Sequence, residues 1–373
     1  MKKNDQVIII GGGLAGLTCA IHLLRTGLPV RLIEKTVYPQ HKVCGEYVSN
    51  EVLPYLSSLD INPFLKGAVG IERLTFVAAS GTALNTELPL GGFGLSRYQL
   101  DQYLYERVVE LGGIVETGQV TDVHFRNDEF EVVTQLSGVL KAKLVIGAYG
   151  KRSTLDQKLS RSFIQQKSHW LAVKSHYSGA YPKGLVGLYH FEGGYCGVSG
   201  VENGRINICY LADYNSFKKY KHLAAFEQQV LHQNKPLQQI LKDSKMLFEQ
   251  PMSISQVSFA KKEPVCEHIL MIGDTAGLIH PLCGNGMAMA IHSAKICAEL
   301  SVSYLEGAIT RKDLEKKYSK AWNLHFSGRI RAGRLLSAVI RKKLLFRILL
   351  ALLAKFPHLL TILIKRTHGQ PIQ

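Results

Sequence analysis

The sequence predicts an α/β protein in which a parallel sheet is interrupted by a mostly antiparallel β unit and followed by a basic helical tail. Three observations predict it. The N-terminus reads strand, glycine turn, helix, strand; the stretch from Trp170 to Leu211 alternates and is punctuated by glycines; and a buried strand and long helix return from Ile269 onward.

Val7 to Ile10 is a short apolar run, and Leu14 to Arg25 has helical periodicity until Gly27 stops it. Val30 to Glu34 follows as a second strand, completing the first half of a Rossmann-like nucleotide-binding unit. Ser96 to Leu111 reads as a helix with Ser96 as its N-cap, and Leu144 to Ala148 as a strand buried on both faces. Gly91 to Gly94 reads as a loop. Leu185 to His190, Tyr195 to Val201 and Arg205 to Leu211 alternate as antiparallel strands do, the last two separated by Asn203-Gly204. Ile269 to Ile272 is again a buried strand, and Gly284 to Leu305 a long helix. The expected division is therefore a discontinuous first domain (1–75, 94–155 and 260–310), a β-rich domain (76–93 and 156–259) and a helical C-terminal region (311–373).

Composition bounds the possibilities. Apolar residues make up 46% of the 373 and charged residues 20%, which predicts a globular chain without a long disordered tract. Lys2 and Lys3 precede an apolar run, but Gly11, Gly12 and Gly13 break it too early for a signal sequence. Seven scattered cysteines without CxxC spacing argue against a zinc site and a disulfide framework, and so for a reducing, cytoplasmic compartment. Fourteen histidines with no HxH or HxxxH pair give no metal site. The net charge of +16 is confined: from Lys316 onward there are 13 Lys and Arg and no acidic residue, so the first 315 residues are nearly neutral. Those cations are not interleaved with stacking aromatics, which argues against nucleic acid.

Gly11, Gly13 and Gly16 form GxGxxG between a strand and a helix. The first permits the tight turn, the second lets the backbone approach a pyrophosphate, and the third allows close helix packing. Glu34 ends the next strand, where a carboxylate accepts from an adenosine ribose, so FAD or NAD is favoured over NADP. The choice falls on FAD because of a second segment. Gly273 and Asp274 follow a strand, and Pro281 and Gly284-Asn285-Gly286 open a helix. An Asp at a strand end suits a ribityl hydroxyl, and helix N-terminal amides suit the negative N1 and O2 edge of a reduced flavin. Either segment alone also reads as an Asx turn capping a helix.

The pairing of these two motifs resembles the FAD-dependent superfamily of geranylgeranyl reductases, para-hydroxybenzoate hydroxylase-like aromatic hydroxylases and flavin-dependent halogenases. The resemblance covers the chain through residue 310 and lies nearest the geranylgeranyl reductases. It implies an FAD-binding domain of the hydroxylase type, with an inserted antiparallel substrate domain. Lys42-Val43-Cys44-Gly45-Glu46 looks like the segment that borders flavin and substrate, and Arg97 with Asp101 like the family's Arg-x-x-x-Asp helix. Further cofactor contacts implied by the resemblance are Leu14, Ala15, Lys35, Val120 and Gly150. Tyr149 stands where hydroxylases carry an Asp tied to flavin and nicotinamide binding, which weighs against NADPH-coupled hydroxylation. With only Trp170 and Trp322, the halogenases' Trp-x-Trp-x-Ile-Pro element is absent.

Four residues are candidates for the chemistry. Cys44 has basic neighbours that favour a thiolate, against a packing role beside the flavin. Cys283 precedes Gly284 and would face the flavin, conceivably as a redox partner of Cys44. His280 reads as a proton donor or a turn cap, and Glu46 as a proton carrier or a plain surface carboxylate. The expected activity is reduction or dehydrogenation of an apolar isoprenoid, polyene or polyketide-like molecule by hydride exchange at flavin N5. Electrons would come from transient NAD(P)H, a donor protein or the substrate. The alternatives are a monooxygenase acting on an aromatic or lipid-like substrate, and a non-catalytic electron-relay or lipid-binding flavoprotein.

The tail, 335–366, reads as a basic amphipathic helix from Leu344 to Ile364, with Leu345, Leu349, Leu352 and Phe356 on its apolar side. Two occupants of that side compete: an anionic membrane at the inner face of the cell envelope, or the protein itself or a second subunit.

Overall fold

The computed structural model describes residues 5–373 apart from Lys167, Lys221, Gln256 and Pro357; Lys2 and Lys3 lie outside the described residues. Asp5–Ile10 pairs in parallel with Val30–Glu34 on one side and Gly138–Gly147 on the other. Ile114–Thr117 and Ile269–Met271 extend the sheet in the same sense. Val7, Ile8 and Ile9 are fully buried in a core shared with Leu17 and Ile21 of the first helix, Ala294 and Ala298 of Gly286–Leu305, and Phe130 and Val132 of Glu129–Thr134. Leu14–Arg25 lies against Gly286–Leu305 on this sheet. The hairpin Val120–Arg126 with Glu129–Thr134 hangs from Gly138–Gly147.

A second, nine-stranded sheet is antiparallel except where Gly184–Phe191 runs parallel to Val69–Val77. Its centre is Trp170–Ser178, Arg205–Asp213 and Gly194–Gly200; Arg205–Asp213 runs two residues past the expected end, Gly194–Gly200 is shifted by one from Tyr195 to Val201, and the neighbouring Gly184–Phe191 gains a residue at each end. Two expectations are corrected here. Tyr47–Ser49 and Val69–Val77 belong to this second sheet and not to the first domain, because Val69–Val77 pairs along its length with Ala83–Gly94. Gly91 to Gly94 is no loop but the end of that strand. Its glycines serve close approach: a Cβ on Gly94 would lie 2.0 Å from the Gly200 carbonyl oxygen, and one on Gly92 2.3 Å from the Tyr47 ring.

The C-terminal region is the 30-residue helix Arg311–Ile340 followed by Lys343–Lys355 and His358–Thr367. The last two meet at 116°, so the single amphipathic helix expected from Leu344 to Ile364 is in fact an elbow. Phe356 leaves helical geometry (φ −129°, ψ 76°), as the residue before a proline does. The inward stripe also differs from expectation. Phe346 and Leu353 are buried and Leu349 packs beside them, whereas Leu345, Leu352 and Phe356 face outward. The reason is the partner surface: Leu74 and Leu84 of the second sheet offer an apolar face that Leu353, Leu360 and Ile364 cover. Among the described residues no single helix is long and apolar enough to cross a membrane.

Candidate functional site

A cavity of about 680 Å³ runs between the two sheets. At one end it meets the glycine turn. Gly11 takes φ +105°, and a Cβ on Gly16 would lie 2.0 Å from the Gly11 carbonyl oxygen, so both glycines set the turn from behind the wall. Gly13 faces the opening. A Cβ there would meet nothing nearer than an Arg97 guanidinium nitrogen at 3.7 Å and Lys42 Nζ at 4.0 Å. Backbone N–H groups at a helix start, an open glycine and two flanking cations make an anion cradle that fits a pyrophosphate. Leu14, Ala15, Glu34 and Lys35 line the same end. Glu34 accepts from the Gly12 N–H at 2.7 Å and from Thr36 Oγ1 at 2.6 Å, which fixes its carboxylate at the rim.

Arg97 lines the cavity because Asp101 holds it: Nε and NH2 each donate to the carboxylate at 2.7 Å, and Lys42 Nζ adds a contact at 3.4 Å. Asp101 itself is fully buried behind the wall, an orienting group and not a lining one. Gly150, Gly273, Asp274, Pro281, Gly284 and Gly286 converge at the middle of the cavity, where the sequence puts the flavin ring. Besides Gly11, Gly16 and Asp101, two further expected contacts are absent from the lining. Val120 is buried in the outlying hairpin, and the Asn285 side chain turns away to donate to Glu51 at 2.9 Å and accept from Arg329 at 3.0 Å.

The four candidates for chemistry separate. Cys44 lines the cavity, with its Sγ 3.4 Å from the Met287 sulfur, and its carbonyl accepts from Asn207 Nδ2 of the second sheet at 3.2 Å. Cys283 also lines it, and burial pushes its thiol up to about 12, so it keeps its proton. All seven cysteines are free, so the structure contains no Cys44–Cys283 bond.

Glu46 is no surface carboxylate. Fully buried at the cavity floor, it receives Lys174 Nζ at 2.6 Å, His176 Nε2 at 2.6 Å and the Arg97 N–H at 2.8 Å. Burial alone would raise its pKa, but the His176 hydrogen bond and the Lys174 ammonium hold the carboxyl below its ordinary range. It is an anion, and a poor proton donor. His280 is absent from the cavity wall. Its Nδ1 accepts from the Leu282 N–H, the turn-capping role, and burial with Arg341 nearby lowers it to about 4.

Three groups escaped the sequence reading. Lys174 and His176 project from one face of the strand Trp170–Ser178, a polar pair two apart in an apolar strand; that spacing was visible, but their partner Glu46 was not. Lys262, buried, donates to the Lys151 carbonyl at 2.8 Å and the Asp274 carbonyl at 2.7 Å, tying together two loops of the cavity wall.

The far arm of the cavity is apolar. Leu74, Leu84, Leu88, Val186 and Leu188 of the second sheet form one wall, and Phe346, Leu349, Leu353, Leu360 and Ile364 of the C-terminal elbow roof it.

Comparison with known proteins agrees with this geometry. The menaquinone reductase of Mycobacterium tuberculosis is 23% identical over 324 residues, covering 80% of this chain and 77% of its own length. The digeranylgeranylglycerophospholipid reductase of Methanosarcina acetivorans is 24% identical over 337 residues, covering 86% and 81%. Among solved structures, a flavin-dependent brominase superposes with a TM-score of 0.81 at 18% identity, over 98% of this chain and 93% of that one. A geranylgeranyl bacteriochlorophyll reductase-like protein from Thermoplasma acidophilum gives 0.70 at 20% identity, over 91% and 87%. The family model described as FAD binding domain matches residues 4–320. The chain therefore belongs to the FAD-binding-domain family and is an FAD-dependent oxidoreductase.

Proposed function

We propose that the protein reduces or dehydrogenates an elongated apolar small molecule of the isoprenoid, polyene or polyketide-like class. One observation carries this: the cavity continues from the flavin loops into an arm walled by Leu74, Phe76, Leu84, Leu88, Val186 and Leu188 and roofed by Phe346, Leu349, Leu353, Leu360 and Ile364. Such walls recognise length and apolarity, and give no purchase to a carboxylate or a phosphate. The relatives named for menaquinone and digeranylgeranylglycerophospholipid reduction agree with such an arm.

When bound, FAD supplies two-electron hydride exchange. In this reading Gly13, Arg97 and Lys42 hold its phosphates, Glu34 its ribose, and Asp274 its ribityl chain. The elbow excludes water from the arm. Cys44 and Cys283 both line the cavity, and burial keeps the Cys283 thiol protonated. Glu46 acts at one remove: its carboxylate fixes the start of the Arg97 helix against the second sheet. NAD(P)H or a donor protein supplies the electrons.

The test is anaerobic. Purified holoprotein is titrated with NADH, NADPH and a chemical reductant while the flavin bands are followed, then mixed with menaquinone or a geranylgeranyl lipid. Reoxidation of the flavin with a product two hydrogens richer supports the reading. Oxygen uptake that depends on substrate and yields a hydroxylated product replaces it with monooxygenation. Failure of every donor and substrate, with retained binding of a protein partner, replaces it with electron relay.

A further inference from the structure

The elbow is apolar on both of its sides. Its inner stripe roofs the cavity, as described, but its outer surface exposes Leu344 at 70%, Ile348 at 49%, Leu352 at 46% and Phe356 at 41%. Ile362 on the second arm is 49% exposed. A helix on the surface of a protein in water ordinarily turns its polar face outward; this one has spent its one buried side and still shows large aliphatics. Exposed Arg341, Lys342, Arg347, Lys355, Lys365 and Arg366 surround them. Not one acidic residue follows Glu315.

We propose that the outer face of this elbow docks on an anionic lipid bilayer, making the protein peripheral to the membrane and setting the apolar arm directly beneath the lipid. The occupant follows from charge and from continuity. Aliphatics ringed by cations match the acyl boundary of a membrane and the anionic headgroups above it. A second copy of the chain is a poorer match, since an isologous contact sets Arg347 and Lys355 against the same cations of the other subunit, with no carboxylate in the segment to balance them. The same two short helices form the roof of the arm and the docking face, so one helix thickness separates the cavity from the surface a lipid substrate would leave. The C-terminal end of the elbow is fixed. The Gly369 N–H donates to the Glu51 carboxylate at 2.7 Å, the Ile372 N–H donates to the Glu51 carbonyl at 2.7 Å, and Ile372 is buried. The two helices pack on the second sheet through Leu353, Leu360 and Ile364.

The inference rests on the apolar-substrate reading for its purpose, but its test uses binding alone. Full-length holoprotein is sedimented with vesicles of phosphatidylcholine, with or without about one third phosphatidylglycerol, where roughly tenfold more protein on the anionic vesicles is expected. Replacing Leu344, Ile348 and Leu352 together by Ser should abolish binding to both, and Arg347→Glu with Lys355→Glu should remove the anionic preference. These side chains are exposed, so flavin absorbance and thermal midpoint should stay at wild-type values in both variants. Equal sedimentation of wild type and the triple-Ser variant overturns the proposal. So does a wild-type dimer that the triple-Ser variant dissociates without any vesicle binding, since the face then belongs to a second copy. Membrane binding without turnover of any long-chain substrate removes the substrate reading and leaves the dock standing.

Discussion

Glu46 and Lys174 meet at 2.6 Å in a site closed to water, one from the loop that borders the flavin cavity and the other from the second sheet. His176 and the Arg97 N–H complete the set around the carboxylate, so one anion joins the two sheets and the first turn of the Arg97 helix. Removing one partner of such a pair strands the other without solvent. Lys174→Met should therefore cost about 3–5 kcal/mol of unfolding free energy. Glu46→Gln with Lys174→Met together should cost less than the sum of the two single changes, measured by urea denaturation. The acid side sharpens the test. The folded pKa of Glu46 lies below its unfolded value, so its contribution is present above the unfolded value and lost as pH falls through the folded one. Lys174→Met should thus move the acid-unfolding midpoint upward, and an unmoved midpoint counts against the pair.

Gly13 and Gly16 should fail in different ways. A methyl on Gly16 collides with the Gly11 carbonyl oxygen at 2.0 Å, whereas one on Gly13 meets ordinary contacts at 3.7 and 4.0 Å and projects into the cradle. Gly13→Ala should fold with an unchanged thermal midpoint of the apoprotein and bind FAD at least about tenfold more weakly by fluorescence titration. Gly16→Ala should lower the apoprotein midpoint as well. Equal behaviour of the two variants would mean that Gly13 does not face the phosphates.

His280 should prove dispensable for catalysis. Burial lowers its pKa to about 4, so it is neutral wherever the enzyme is assayed, and its Nδ1 is committed to the Leu282 N–H. Asn at this position also accepts from that N–H, so His280→Asn should leave kcat and its pH profile unmoved. Stability should change instead. As pH falls from 6.5 toward 4 the unfolded chain takes up a proton that the folded protein refuses, and wild type loses about 1.4 kcal/mol per pH unit from this group. The variant should lose that much less over the same window in denaturant titrations. A shifted kcat profile would restore His280 as a proton donor.

Filling the apolar arm should select by length. Leu84→Trp on the sheet wall or Leu353→Trp on the roof narrows the passage within the apolar arm. The KM for a geranylgeranyl-length substrate should rise at least about tenfold, while a short analogue that ends near Cys44 keeps its KM and kcat. A uniform fall for both lengths would place the substrate elsewhere.

What the sequence settled by itself is local. A strand, three glycines and a helix of apolar period determine a turn of one geometry, because the backbone has few ways to make it, and the helix Leu14–Arg25 and strand Val30–Glu34 fall where the periodicity put them. Ser96 caps its helix by accepting from the Gln99 N–H for the same reason, since the signal lies within four residues. The glycine-turn end of the cavity was legible because it is built from such turns.

The tertiary structure decided what long-range packing controls. The fate of Glu46 depended on Lys174, 128 residues away, and that of Asn285 on Glu51, 234 residues away, and no local pattern encodes which buried polar groups will meet. The tail shows the same limit. Its period gave one helix where the structure has two, and which stripe turns inward was chosen by the apolar face of Leu74 and Leu84, so Leu345 and Leu352 were left looking outward. Periodicity records that a helix has an apolar side; only the surface it lands on determines which side is buried, and in this protein the landing surface is the wall of the apolar arm of the cavity.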